Sequence, residues 1–195
     1  MPTEDNKQLA KFMAGVLSGD GKPKVIEYNN NDSSLKIPIM ICPDSPWNGF
    51  TAYSSIGLSD YPMYKNGEEY PVRLEIVGVA NSSCKYLPNI IADLSFSLMK
   101  RGLLYYPGLV FCDLISNYDK LSKFKHVFFT DPFIWEELDP QYIGSKKVAW
   151  LLVFPITNDE DEYIRQNGAD EFEKILEDRQ INACDIERST IGRYN

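Results

Sequence analysis

The apolar residues of this chain occur mostly in runs with the length and composition of β-strands. The run KKVAWLLVFPI, residues 146–156, is rich in Val, Phe and Trp and predicts a strand central to a sheet. Other predicted strands lie in KVIEY, IPIMI, TAYSSI, YPVRLEIVGVA, LVFCDLI and HVFFTDPF. Because the strands come in groups and do not alternate strictly with helices, we predict an α+β fold: a mixed or antiparallel sheet with helices packed on it.

Helical spacing of apolar residues is clear in two segments of the first half of the chain. Residues 7–18 predict an amphipathic helix, and Gly19 is its predicted C-terminal cap. The segment from Leu87 to Arg101 predicts a second helix that ends at Gly102 in the left-handed conformation.

The segment after Pro155 predicts two short helices. Thr157 and Glu160 fit a capping box, in which each residue's side chain binds the other's backbone N–H. Gly168 separates this helix from another over residues 169–178. Capping and the helix dipole explain the acidic residues at the start of the first of these helices. We therefore do not predict that these residues bind a partner: Asp159, Glu160, Asp161 and Glu162.

The segment TAYSSIGLSDYPM, residues 51–63, joins strand alternation to a dense group of turn residues. Gly57 permits backbone angles closed to other residues, Ser59 and Asp60 can bind nearby amides, and Pro62 fixes its own torsion. We favour a folding role for this turn, in which it ends a central strand and seats Leu58 and Met63.

The composition is that of an ordinary soluble protein with an acidic surface. The 195 residues predict a single domain over 1–195, with 44% hydrophobic residues and a net charge of −8. Residues 151–195 carry five basic and eleven acidic side chains, a net charge of −6. Nucleic acid and anionic membranes are therefore poor partners, and a basic protein is the natural one. A solubilising helix surface is the alternative explanation of the acids.

The N-terminal sequence and the cysteines indicate a cytoplasmic protein. MPTEDNKQLA has no basic segment before an apolar core, and no later run reaches the length of a membrane helix. The four cysteines are scattered without a CxxC pair, which predicts buried thiols and no metal site.

Candidates for catalysis are few. His126 is the single histidine and enters an apolar run, where a hydrogen-bonded strand histidine is expected. Cys112 lies in VFCDLI and is predicted to be a core residue. Pairs of carboxylates leave a hydrolase conceivable, but no phosphate-binding, zinc-binding or dinucleotide-binding motif is present. We therefore predict a protein that is not an enzyme and needs no cofactor.

Four segments in one order resemble the suppressor of fused domain family. They are TAYSSIGLSDYPM, VRLEIVGVA, LLVFPITNDEDEYIRQNGADEFEKIL and DIERST, and they span residues 51–190. The signature positions, for which we expect structural roles, are Gly57, Leu58, Ser59, Asp60, Pro62, Met63, Pro155 and Gly168. Residues 103–147 carry no pattern that aligns with the family.

The resemblance implies a protein-binding function. Animal members of the family hold a transcription factor between this domain and a second, C-terminal domain, for which this chain has no room. The shorter bacterial-type members resemble immunity proteins that neutralise the C-terminal domain, often a nuclease, of a secreted toxin. We expect such a role here, and a regulatory adaptor for an endogenous basic protein is the alternative. Outward acids of the last helix are the predicted partner-binding residues, together with one tyrosine: Tyr163, Asp170, Glu171, Glu173 and Glu177. The sequence leaves the oligomeric state open.

Overall fold

A computed structural model of the chain describes residues 3–19 and 22–191. Within these residues the α-helices are α1 (Glu4–Leu17), α2 (Leu87–Arg101), α3 (Asn158–Asn167) and α4 (Ala169–Asp178). The strands are β1 (Lys24–Asn29), β2 (Lys36–Pro43), β3 (Phe50–Ser55), β4 (Tyr64–Lys65), β5 (Glu68–Glu69), β6 (Arg73–Asn81), β7 (Val110–Phe111), β8 (Phe124–Thr130), β9 (Gln141–Ile143) and β10 (Lys146–Thr157). Every described helix is too short or too polar to span a bilayer.

The main sheet is mixed, which confirms the α+β prediction. Its strand order is β1-β2-β3-β6-β10-β8-β7, and β9 pairs with the first residues of β10. β6 and β10 run parallel, and the other neighbouring pairs are antiparallel. β10 lies between β6 and β8, as expected of the long apolar run.

Helices cover both faces of the sheet, and alternate residues of β10 divide between them. Leu151 and Val153 pack in the cluster that contains the buried face of α2. Trp150 and Leu152 pack with α1, while Phe154 packs with α3 and α4 on that same face. The three helices α1, α3 and α4 therefore share one side of the sheet, opposite α2.

The C-terminal end of α1 differs from the prediction. The C-cap of the helix is Ser18, whose backbone is extended (φ −65°, ψ 120°), and Gly19 does not adopt a positive φ, so Gly19 is not the cap. A Cβ at Gly19 would lie 2.0 Å from the Asp44 carbonyl oxygen, so this glycine allows the loop after β2 to approach closely. The Ser45 hydroxyl of that loop donates to the carbonyl of Leu17. A neighbouring loop therefore binds the helix end.

The other predicted helix ends are confirmed. The Gly102 backbone has a φ of 60° and its N–H binds the Leu98 carbonyl. Both hydrogen bonds of the capping box between Thr157 and Glu160 are present at the start of α3. The predicted strand LVFCDLI is reduced to β7, because the chain turns at Asp113, where φ is 57°.

Candidate protein-binding site

The turn that follows β3 is built around a buried carboxylate on β6. The Glu75 side chain accepts hydrogen bonds from the backbone N–H groups of Gly57 (3.0 Å), Leu58 (3.3 Å) and Ser59 (2.9 Å), and from the Ser55 hydroxyl. Glu75 is completely buried. Burial raises the pKa of Glu75 to about 7, although its hydrogen-bond donors act in the opposite direction. The amides of this turn are therefore occupied within the fold and are not available to an anionic ligand.

Asp60 connects the same turn to two other elements. Its carboxylate accepts a 2.9 Å hydrogen bond from the Asn6 side chain on α1, and it pairs with Lys146 at the start of β10. Leu58 and Met63 lie in the core on the α2 side of the sheet. Asp60 thus links the turn to α1 and β10, and the folding role of the signature residues stays a prediction.

A second buried carboxylate, Glu160, lies at the start of α3. It binds the guanidinium of Arg188 through both oxygens, at 2.6 and 3.0 Å, and accepts the N–H of Ile191 at 3.1 Å. Arg188 also donates to the Pro155 carbonyl and stands 4.9 Å from the centre of the Phe124 ring. Capping thus explains only part of the role of Glu160, because it also fixes the segment after α4.

The candidate catalytic side chains have structural surroundings. The Nδ1 atom of His126 accepts the N–H of Asp113, so Nε2 carries the proton and donates to the Asn158 side chain at 2.8 Å. Cys42, Cys84 and Cys184 are buried free thiols, and burial raises the pKa of all three. The described residues contain no cluster of side chains suited to a metal ion.

The prediction that Cys112 is a core residue is wrong. Its side chain is exposed, 3.5 Å from the guanidinium of Arg165 on α3. The strand that should have buried it ends at Phe111, just before the turn at Asp113.

The predicted binding acids separate into two groups. Asp170, Glu173 and Glu177 line one wall of a groove of about 590 Å³ beside α4. Glu171 is exposed but does not line this groove. Tyr163 is partly buried and packs against the core cluster beneath α3 and α4.

We call this cavity the α4 groove, and its second wall is the end of β8 with the loop that follows it. Thr130, Asp131 and Phe133 form that wall, and the floor includes Phe154 and Leu176. Glu173 is hydrogen-bonded to Thr130, and its pKa is raised by burial and by the negative charges of Asp131 and Asp170. The groove thus has an apolar floor and closely spaced carboxylates on its walls.

A smaller groove of about 300 Å³ lies on the other side of Asp131. Its lining includes Tyr70, Tyr106, Pro107 and Pro132, of which Tyr106 is half exposed. Tyrosine side chains are enriched at surfaces that bind other proteins.

Comparison with known proteins places this chain in a family. The suppressor of fused protein (SUFU) profile matches residues 33–189, which include the turn after β3, Glu75, Glu160 and Arg188. The chain belongs to the suppressor of fused protein family. It is also 33% identical over 190 residues to a Bacillus subtilis protein named "Immunity protein YqcF", covering 97% of this chain and 98% of the relative.

Solved SUFU structures share the fold. A SUFU homologue from Neisseria gonorrhoeae superimposes with a TM-score of 0.70 at 16% identity, covering 97% of this chain and 96% of that one. A chain of the Sufu–Fu complex gives a TM-score of 0.66 at 12% identity, covering 95% of this chain and 89% of that one. Drosophila Suppressor of Fused gives 0.57 at 12% identity, and the match covers 95% of this chain but 49% of the Drosophila protein.

Asp131 and Phe133 are among the residues of the α4 groove that the sequence did not indicate in this SUFU-family chain. Asp131 and Phe133 belong to the predicted strand HVFFTDPF, but β8 ends at Thr130 and leaves both on a loop. Pro132 was the available signal, because a proline within a strand-like run marks a strand end.

Proposed function

We propose that this chain is an immunity protein that binds and neutralises the C-terminal toxic domain of a cognate secreted bacterial toxin, and that this domain is a nuclease. The observation that carries the proposal is the 33% identity, over nearly the whole chain, to a protein named as an immunity protein. We infer that inhibition is stoichiometric, requires no cofactor and takes place in the cytoplasm, where self-protection is needed.

Electrostatics supports a nuclease as the target. A nuclease presents positive charge to the phosphates of its substrate, so an inhibitor covering its active site should be acidic. The chain carries a net charge of −8. Complementary charge also accelerates association, which matters when a toxin must be captured before it acts.

The proposed interface is centred on the acidic wall of the α4 groove. Asp170, Glu173 and Glu177 provide the charge, with Asp131 across from them. We place Glu171 and Tyr163 at its edge. The competing interpretation of these acids, a solubilising helix face, predicts that no single acid matters for binding.

The experiment is co-expression of this chain with the toxic C-terminal domain encoded by the neighbouring secreted-toxin gene. Survival of the cells and co-purification of a stable complex are expected. Absence of both, with each protein shown to be folded, would contradict the immunity role. Incubating the purified complex with DNA and RNA, against the free toxin domain, tests the nuclease part separately.

A regulatory adaptor that binds an endogenous basic protein is the second candidate, since the same acidic groove would suit it. Cells that lack the toxin gene separate the two proposals. Specific recovery of one stoichiometric basic partner from such cells, lost on charge reversal of the groove, would favour the adaptor.

A further inference from the structure

The lining of the α4 groove includes one exposed aromatic ring, that of Phe133. Phe133 is 67% exposed, which is unusual for a phenylalanine. Its backbone N–H donates to the Asp131 carbonyl at 2.8 Å across Pro132, and the backbone N–H of Trp135 donates to the Pro132 carbonyl at 3.0 Å. These bonds order the backbone of the loop at Phe133, and the ring is exposed to a partner at the groove.

The carboxylates that line the groove outnumber the cations there. Asp131, Asp170, Glu173 and Glu177 line the groove, and the ion pairs among the described residues lie elsewhere. Lys174 contributes one positive charge to the same lining. Four carboxylates against one ammonium leave a local excess of negative charge that a cationic ligand would neutralise.

The apolar floor of the groove favours a cation that is carried on a long apolar stem. Phe154, Leu176 and Ala183 contribute apolar surface, which suits the methylene stem of a long basic side chain. A guanidinium can also form paired hydrogen bonds with carboxylates and stack on an aromatic face, and it is less strongly hydrated than an ammonium. These properties favour arginine over lysine.

We propose that the α4 groove binds an arginine side chain of the partner protein, with its guanidinium among the carboxylates and against the ring of Phe133. The proposal rests on the proposed function for the source of the arginine, which is the toxin domain. It adds the chemistry of the contact and makes Phe133 the anchor of the interface.

A toxin-independent measurement tests the chemistry of the groove. Acetyl-tetra-arginine amide is titrated into the isotopically labelled protein at low ionic strength, and backbone amide shifts are followed by NMR, with acetyl-tetra-lysine amide as the matched probe. We expect saturable shifts centred on Phe133, Glu173 and Lys174, and an affinity for the arginine peptide about threefold or more above that for the lysine peptide.

Substitutions then separate the ring from the charge. Phe133→Ala should weaken binding of the arginine peptide about two- to fivefold, the effect of one exposed cation–π contact. Phe133→Leu should retain the apolar contact and lose the preference for arginine. Tyr142→Ala is the matched control, because Tyr142 is 70% exposed on β9 and does not line the groove.

Equal affinity for the two peptides, shifts spread over all acidic surfaces, or an equal effect of Tyr142→Ala would overturn the proposal. Because the probe requires no toxin, its outcome is independent of the co-expression experiment. Groove binding without rescue would count against the immunity role alone, and rescue without groove binding would count against the arginine site alone.

Discussion

Arg188 donates hydrogen bonds to both carboxylate oxygens of Glu160, and the two buried side chains lie 28 positions apart in the sequence. Glu160 also caps α3 and binds the backbone of Ile191. One carboxylate therefore connects the helix start to the segment that follows α4. Breaking such a pair from one side leaves a buried charge without compensation.

Replacing Arg188 by Met should lower the free energy of unfolding by about 3–5 kcal/mol, because Glu160 would remain buried without its counter-ion. Urea unfolding followed by circular dichroism measures the loss. The double variant Glu160→Gln/Arg188→Met should recover part of it. Lys36→Met, which breaks the exposed pair with Glu27, is the control and should cost less than about 1 kcal/mol. Equal losses of unfolding free energy in Arg188→Met and Lys36→Met would contradict the stabilising role assigned to the buried pair.

Glu75 should make stability depend on pH. Burial raises its pKa in the folded state from 4.5 to about 7, so the folded protein retains a proton that the unfolded chain releases. The contribution of Glu75 to the free energy of unfolding is therefore largest below pH 4.5, and up to about 3 kcal/mol of this contribution is lost as the pH rises to 7. Unfolding free energies measured from pH 5 to 8 should show this slope in the wild type. Glu75→Gln, although less stable throughout, should lack it, and an unchanged slope would contradict the prediction.

Asp60 should control the docking of α1. In the Asp60→Ala variant, the Asn6 amide and the Lys146 ammonium lose a shared partner. We expect faster hydrogen exchange in α1 and unchanged protection in α2, which packs on the opposite face of the sheet. Asp139→Ala, at an exposed loop position, serves as the control. Uniformly faster exchange throughout the protein would instead indicate a global loss of stability.

Charge reversal in the α4 groove should weaken binding of the toxin domain. Asp170→Lys/Glu177→Lys changes two exposed acids of the groove, and we expect at least about a tenfold loss of affinity, partly through slower association. Glu68→Lys/Glu187→Lys makes the same change of charge at exposed positions outside the groove. Surface plasmon resonance at two salt concentrations compares the pairs. Equal losses of affinity in the two double variants would show that the groove acids act only through the net charge of the protein.

Local structure was accessible from the sequence wherever its cause lies within a few residues. The apolar spacing of α2, the capping box of Thr157 and Glu160, and the left-handed Gly102 all depend on contacts within one or two helical turns. The α+β class followed for the same reason, since it requires only the types of element and their order along the chain. The resemblance of the signature segments added the family.

The sequence failed where a distant segment decides the environment. Gly19 looked like a helix cap, but its role is set by Asp44 on another loop. Cys112 looked buried in an apolar run, but β7 ends one residue before it. Asp170, Glu173 and Glu177 were chosen from charge alone, and nothing in their own helix indicates the facing Asp131 and Phe133.

The sequence by itself determined the helices, the cap at the end of α2, the capping box of α3 and the acidic character of the last quarter of the chain, because propensity, spacing and charge are local properties. The tertiary structure decided that Glu75 holds the turn after β3, that Arg188 pairs with Glu160, and that α4 faces the loop after β8. The physical reason is the strand order. It brings together segments far apart in sequence, and their mutual burial determines which polar groups are paired inside the fold and which remain available to a partner.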